Sequence, residues 1–160
     1  MRKISLVCFS ALLAALVWTG CARSNEGAAH VTDLVRTMFT TPQETVAAAL
    51  EQGAGQAEQA AEALIQDLAE PESGAAQLMA EAHRSAAEQG LSIQVGQIEV
   101  VTQKAGSEYR YTVHAVLTDA EGQTQDVKFQ GAAQTDRDGI VTALTAEGSG
   151  MDALGIDRKE

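Results

Sequence analysis

The chain of 160 residues carries 22 acidic against 11 basic side chains and is 45% hydrophobic but only 4% aromatic. That length suits one domain, and the apolar share excludes a disordered chain. The acidic balance excludes a surface built to neutralise nucleic-acid phosphate and docking on anionic headgroups by charge alone.

Met1-Arg2-Lys3 sets two positive charges ahead of an apolar run from Ile4 to Trp18, broken only by Ser5 and Ser10. At ~1.5 Å per residue the run falls short of a ~30 Å bilayer core. A charged start, a short apolar segment and small residues after it describe a signal helix for export. The small residues Thr19-Gly20 are followed by Cys21. This resembles the lipobox of bacterial lipoproteins, with Trp18 standing where that family usually has Leu. The resemblance implies cleavage between Gly20 and Cys21, removal of residues 1–20, and diacylglycerol on the Cys21 thiol. The resemblance implies an outward-facing anchor in the cell membrane or outer membrane; where the envelope has two membranes it favours the outer one, because Ala22 is not the Asp that commonly retains lipoproteins at the inner membrane. The alternative is ordinary cleavage after Ala22, which yields a freely secreted protein.

Cys8 leaves with the signal, and Cys21 is then the single cysteine. An internal disulfide, a cysteine nucleophile and a cysteine-containing metal site are excluded once it is acylated. The chain from Cys21 onward has nine Lys plus Arg against all 22 acids, a net charge of −13.

Residues 21–31 read as lipid anchor and flexible tether, since Ala22 to His30 is small and polar with no apolar period. The domain is expected over residues 32–150. Thr32-Asp33 begins a short helix with Leu34, Val35, Met38 and Phe39 on one face. Thr41-Pro42-Gln43-Glu44 has the form of a capped helix start, and that helix runs to about Gln52, with Val46, Ala49 and Leu50 inward. Gly53 and Gly55 break it. Ala57, Ala60, Ala61, Leu64, Ile65 and Leu68 mark one stripe of a helix from about Gln56 to Ala69, stopped by Pro71. Ser73 caps a fourth helix carrying Leu78, Met79, Ala82 and Ala86, which ends on a left-handed Gly90 with Leu91 folded over it.

From Leu91 the apolar period becomes two. Leu91 to Gln103 is a strand whose alternation slips at Gly96, the mark of a bulge. Glu108 to Thr118 is the clearest strand, with Tyr109, Tyr111, Val113, Ala115 and Leu117 on one face and Arg110, Thr112, His114, Val116 and Thr118 on the other. Gln125 to Gln134 is the third, with Val127 and Phe129 inward. Asp138-Gly139 marks a hairpin into a fourth strand from Ile140 to Ala146, with Ile140 and Leu144 inward. Residues 151–160 form a tail with a helical turn around Leu154.

The fold class is therefore α+β: a signal helix, about four helices, then a four-stranded antiparallel meander with one face covered and one meeting water. Helices before a meander, with Thr41-Pro42-Gln43-Glu44-Thr45-Val46 opening the first long one, resemble the cone-shaped fold of nuclear transport factor 2 and its bacterial relatives. That resemblance implies a pocket inside the cone, for which Tyr109, Tyr111 and Phe129 are the candidate wall, and pairing of two copies through the open sheet face.

Catalytic residues are not evident. His30, His83 and His114 show no metal-ligand spacing and read as surface histidines, His83 at the edge of a packed helix face. Asp136, Asp138 and Gly139 fall at calcium-loop positions, but the bidentate Glu is missing and a hairpin turn accounts for them. The inward strand positions hold no group ionised at neutral pH. No metal, cofactor or nucleic acid is expected. The reading is a membrane-anchored, non-catalytic binding or interaction domain, its partner an envelope protein or a small apolar ligand. The enzyme alternative is a cone-fold hydrolase or isomerase using His114 with Tyr111 or Arg110, and it requires His114 inside the cone.

Overall fold

A computed structural model describes residues 26–40 and 43–156. The expected signal helix, Gly20, Cys21, the Thr41-Pro42 start and the last four residues lie outside the described residues.

Residues 26–40 form α1. Val31, Leu34, Val35, Met38 and Phe39 are all buried, a stripe at i, i+3, i+4, i+7 and i+8 that points one face into the core. The helix thus includes residues 26–31, which were expected in the tether. Thr32 does not begin it: its hydroxyl donates back to the Ala28 carbonyl at 2.8 Å. The cause is tertiary. Val31 adds a buried turn, and His30, a further turn residue, donates from Nδ1 to the Gly139 carbonyl at 3.1 Å. A polar segment is ordered by partners more than a hundred residues away.

α2 spans Gln43–Gln52 and buries Val46. Gly53, at φ 128°, breaks the chain, and α3 starts at once over Ala54–Ile65. Gly55 is inside α3 and breaks nothing, because the Gly53 carbonyl already accepts the Gln56 and Ala57 N–H groups. α3 buries Ala57, Ala61 and Ile65 and stops four residues short of the expected Ala69. There Ala69 makes a parallel bridge to Val141. Val141 N–H donates to the Leu68 carbonyl at 2.9 Å, and Glu70 N–H to the Val141 carbonyl at 2.8 Å. Backbone pairing with the sheet replaces the last helical turn. A 3₁₀ turn at Pro71–Ser73 follows. The Ser73 hydroxyl accepts from Ala75 N–H at 3.3 Å as α4 opens over Ala75–Glu88. Gly90, at φ 65°, closes α4 as expected: Leu91 N–H reaches the Ala86 carbonyl at 2.8 Å and Gly90 N–H the Ala87 carbonyl at 3.1 Å, the paired bonds of a left-handed helix stop.

β1 (Ser92–Lys104), β2 (Glu108–Thr118), β3 (Thr124–Thr135) and β4 (Val141–Leu144) form one antiparallel sheet in the order 1-2-3-4. The chain is thus α+β, with helices before a meander. Val95 pairs with Ala115 and Gln97 with His114, so Gly96 is the extra residue of the expected bulge. β4 departs in phase. Thr135 pairs with Val141 but Gln134 with Ala143, which leaves Thr142 as an extra residue and turns both Val141 and Leu144 toward the helices. Val141 is fully buried, and Ile140, expected inward, is half-buried. α5 (Ser149–Leu154) buries Gly150, Met151 and Leu154. Residues expected as tail are therefore held on α4, where Ser85 Oγ and Gln89 Nε2 donate to the Leu154 carbonyl.

The core lies between α1, α3 and α4 on one side and the inner sheet face on the other. Its helical share is rich in Ala, which buries little area per residue but lets backbones approach. The large side chains, Tyr109, Tyr111, Phe39 and Phe129, fill the space between.

Candidate functional site

Tyr109 and Tyr111 alternate inward on β2, and Phe129 lies opposite Val113 on β3. Pairing places the three on one patch of the inner face, and all are buried. They are brought together as expected, and neighbouring side chains and backbone pack closely against them, while Tyr111 also borders a small cavity. Phe39 of α1 stacks on Phe129 with ring centroids 4.3 Å apart and planes 24° from parallel. Gly27 of α1 lies against the Tyr109 ring and hydroxyl, and a Cβ there would overlap them. A Cβ at Gly150 would come within 2.5 Å of the Phe129 ring. One at Gly131 would overlap the Thr145 carbonyl and stand 2.8 Å from the Tyr111 hydroxyl. Three glycines thus close the backbone down on three aromatic rings. Sequence reading missed these contacts, although glycine inside a strand, as at Gly131, does signal close approach.

The two hydroxyls differ. Tyr111 donates to the Thr145 carbonyl at 2.6 Å. Burial pushes its pKa well above the usual phenol value, and the Glu147 carboxylate adds to the rise. It is a permanent donor here and no acid–base group at neutral pH. The Tyr109 hydroxyl is buried with no hydrogen-bond partner.

The histidines separate into three environments. His114 is exposed on the open sheet face beside Lys128 and Gln97, so the inward placement that the enzyme alternative requires is not met. His30 fastens α1 to the β3–β4 hairpin. His83 was expected at the edge of a packed face and is instead 3% exposed. Its Nε2 donates to the Met38 carbonyl at 2.7 Å, and Nδ1 is buried without a partner. Desolvation lowers its pKa against the opposing effect of that hydrogen bond. A polar residue on the Met79–Ala82 stripe carried no signal of its own, because only the arrival of α1 buries it.

The Asp136 carboxylate accepts from the N–H groups of Asp138 and Ile140 at 2.9 and 3.0 Å, with Gly139 at φ 84°. That is a hairpin turn, with the acid used on its own backbone. Among the described residues no group of three or more His, Cys, Asp and Glu side chains is placed to hold a metal ion. No helix among them is long and apolar enough to cross a membrane.

Three surface cavities stand out among the described residues. One of about 260 Å³ lies where β2, β3 and the segment after β4 meet, bordered by Arg110, Tyr111, Thr112, Gln130, Thr145 and Glu147. One of about 390 Å³ lies between the end of α3 and the 3₁₀ turn, with Glu62 and Glu70 at its border. The third, about 490 Å³, is a groove between α2 and α4. Val101, 56% exposed on the outer face of β1, is the one large apolar side chain left to solvent among the described residues.

No family model and no curated protein matches the chain. Among solved structures the chain is similar to a de novo beta-sheet design protein determined in solution by NMR. The two share 18% identity over 87% of this chain and 93% of that one, with a TM-score of 0.44.

Proposed function

We propose that the protein is a lipid-anchored, outward-facing bacterial envelope protein whose α+β domain is a non-catalytic interaction module. The observation that carries it is Thr19-Gly20-Cys21, placed directly after a short apolar run with a basic start. The domain's interior supports the second half. The aromatic patch that would have held a small apolar ligand is occupied by Phe39 and by close backbone at Gly27 and Gly150. What is left for recognition is surface, and the surface is acidic. The order of elements supports kinship with the nuclear transport factor 2 fold as part of the same proposal.

The test is the intact mass of the protein extracted from membranes, for wild type and Cys21→Ala. The expected result is residues 21–160 plus lipid, with the lipid lost in the variant. A lipid-free mass beginning after Ala22 would overturn the anchor and make the protein a freely secreted one.

A further inference from the structure

We propose that the groove between α2 and α4 docks a basic amphipathic helix of a partner protein. This rests on the interaction-module reading and gives it a place and a partner chemistry.

The groove is built from two helical stripes. Ala47, Leu50 and Glu51 stand at i, i+3 and i+4 on α2, Ala54 adds the first residue of α3, and Ala87 and Glu88 face them from α4. Its volume is about 490 Å³. α2 buries Val46 alone, so its second apolar turn, with Leu50 half-buried, lacks full cover. Alanines at Ala47, Ala54 and Ala87 leave a shallow floor into which the larger side chains of a third helix fit as ridges into a groove. Arg84 is half-buried there, and its stem continues the apolar floor while Glu88 stands one turn further on. Ten residues of α2 offer ~15 Å of length, or about three turns of a partner helix.

Charge decides the occupant. Glu51 and Glu88 are exposed at the borders. Across the described residues of α1 to α4 there are eight acidic side chains and two arginines. A second copy would bring like charge to like, and anionic lipid would be repelled. A helix with Leu or Met on one face and Lys or Arg beside them satisfies both floor and borders, and the field of the helical layer draws it in.

The test uses the full chain in a non-ionic detergent and a fluorescent Leu/Lys amphipathic helical peptide of about five turns, ~18 residues, with binding to empty micelles subtracted. Anisotropy is expected to show saturable binding. Ala87→Trp, which fills the groove from an exposed position, and the pair Glu51→Lys with Glu88→Lys should each weaken it about tenfold or more. Both variants should keep the wild-type circular dichroism. The proposal is overturned by no binding to wild type, by undiminished binding to the variants, or by equal binding of a scrambled peptide of the same charge. Those outcomes leave the membrane-protein mass untouched, so failure of the groove and failure of the anchor are read separately.

Discussion

Tyr109 and Tyr111 lie two positions apart on one strand face, equally buried, yet only one hydroxyl has a partner. Removing them should therefore have opposite consequences. Tyr111→Phe orphans the Thr145 carbonyl and should lower stability by about 1 kcal/mol in urea unfolding. Tyr109→Phe removes a hydroxyl that lost its water on folding and gained nothing, so it should be neutral or stabilising. Equal losses in the two variants would contradict the assignment of partners. Gly131→Ala forces a methyl into the Thr145 backbone, where no flexible side chain can give way. It should destabilise by about 1–3 kcal/mol, measured in the same way.

At the scale of elements, α1 is the segment whose extent matters most. If residues 26–31 were tether, Val31→Ala would have no effect on stability. With Val31 fully buried, the variant should lose about 1–3 kcal/mol, and amide exchange should show protection reaching back to His30. α1 is also joined to α4 by His83. Its folded-state pKa lies below the unfolded value, so the unfolded chain takes up the proton more readily. Stability is fully present above the ordinary histidine range and falls as pH drops through about 6.5. The slope cannot exceed about 1.4 kcal/mol per pH unit for one proton. His83→Gln keeps a donor for Met38 and removes the titration. Melting temperatures from pH 7.5 to 5.5 should fall for wild type relative to this variant, and parallel curves would exclude the effect.

For the whole molecule the governing quantity is charge. From Cys21 onward the net charge is −13, and the ion pair of Arg36 with Asp33, at 3.5 Å, has both side chains more than half exposed. Such a pair contributes little, and the large acidic excess repels itself. Raising ionic strength from ~0.01 to ~0.15 M shortens the screening length from ~30 to ~8 Å. The melting temperature should therefore rise with salt over that range, whereas a protein held by surface ion pairs would show a fall.

Much of this was legible residue by residue. β2 begins and ends where its alternation does, the Gly96 slip is a bulge, and Gly90 ends α4 in the left-handed conformation, because each depends on near neighbours in the chain. Strand period, bulge and helix stop are local consequences of side-chain direction and backbone freedom. The rest needed distant parts to meet. Ala69 leaves its helix because Val141 offers a backbone partner, and Ile140 yields its inward place because β4 carries an extra residue at Thr142. Residues 26–31 become helix because the hairpin and Tyr109 are waiting for them. The candidate pocket at Tyr109, Tyr111 and Phe129 is the same case. Sequence placed those rings on one face, but whether a face encloses a cavity depends on what packs against it: here Phe39 and the backbone at Gly27 and Gly150 close on Phe129 and Tyr109, while Tyr111 borders a small cavity. The sequence by itself determined the charge and the order of elements. Only the tertiary structure decided what is interior and what is left open, because burial is a property of surfaces that meet.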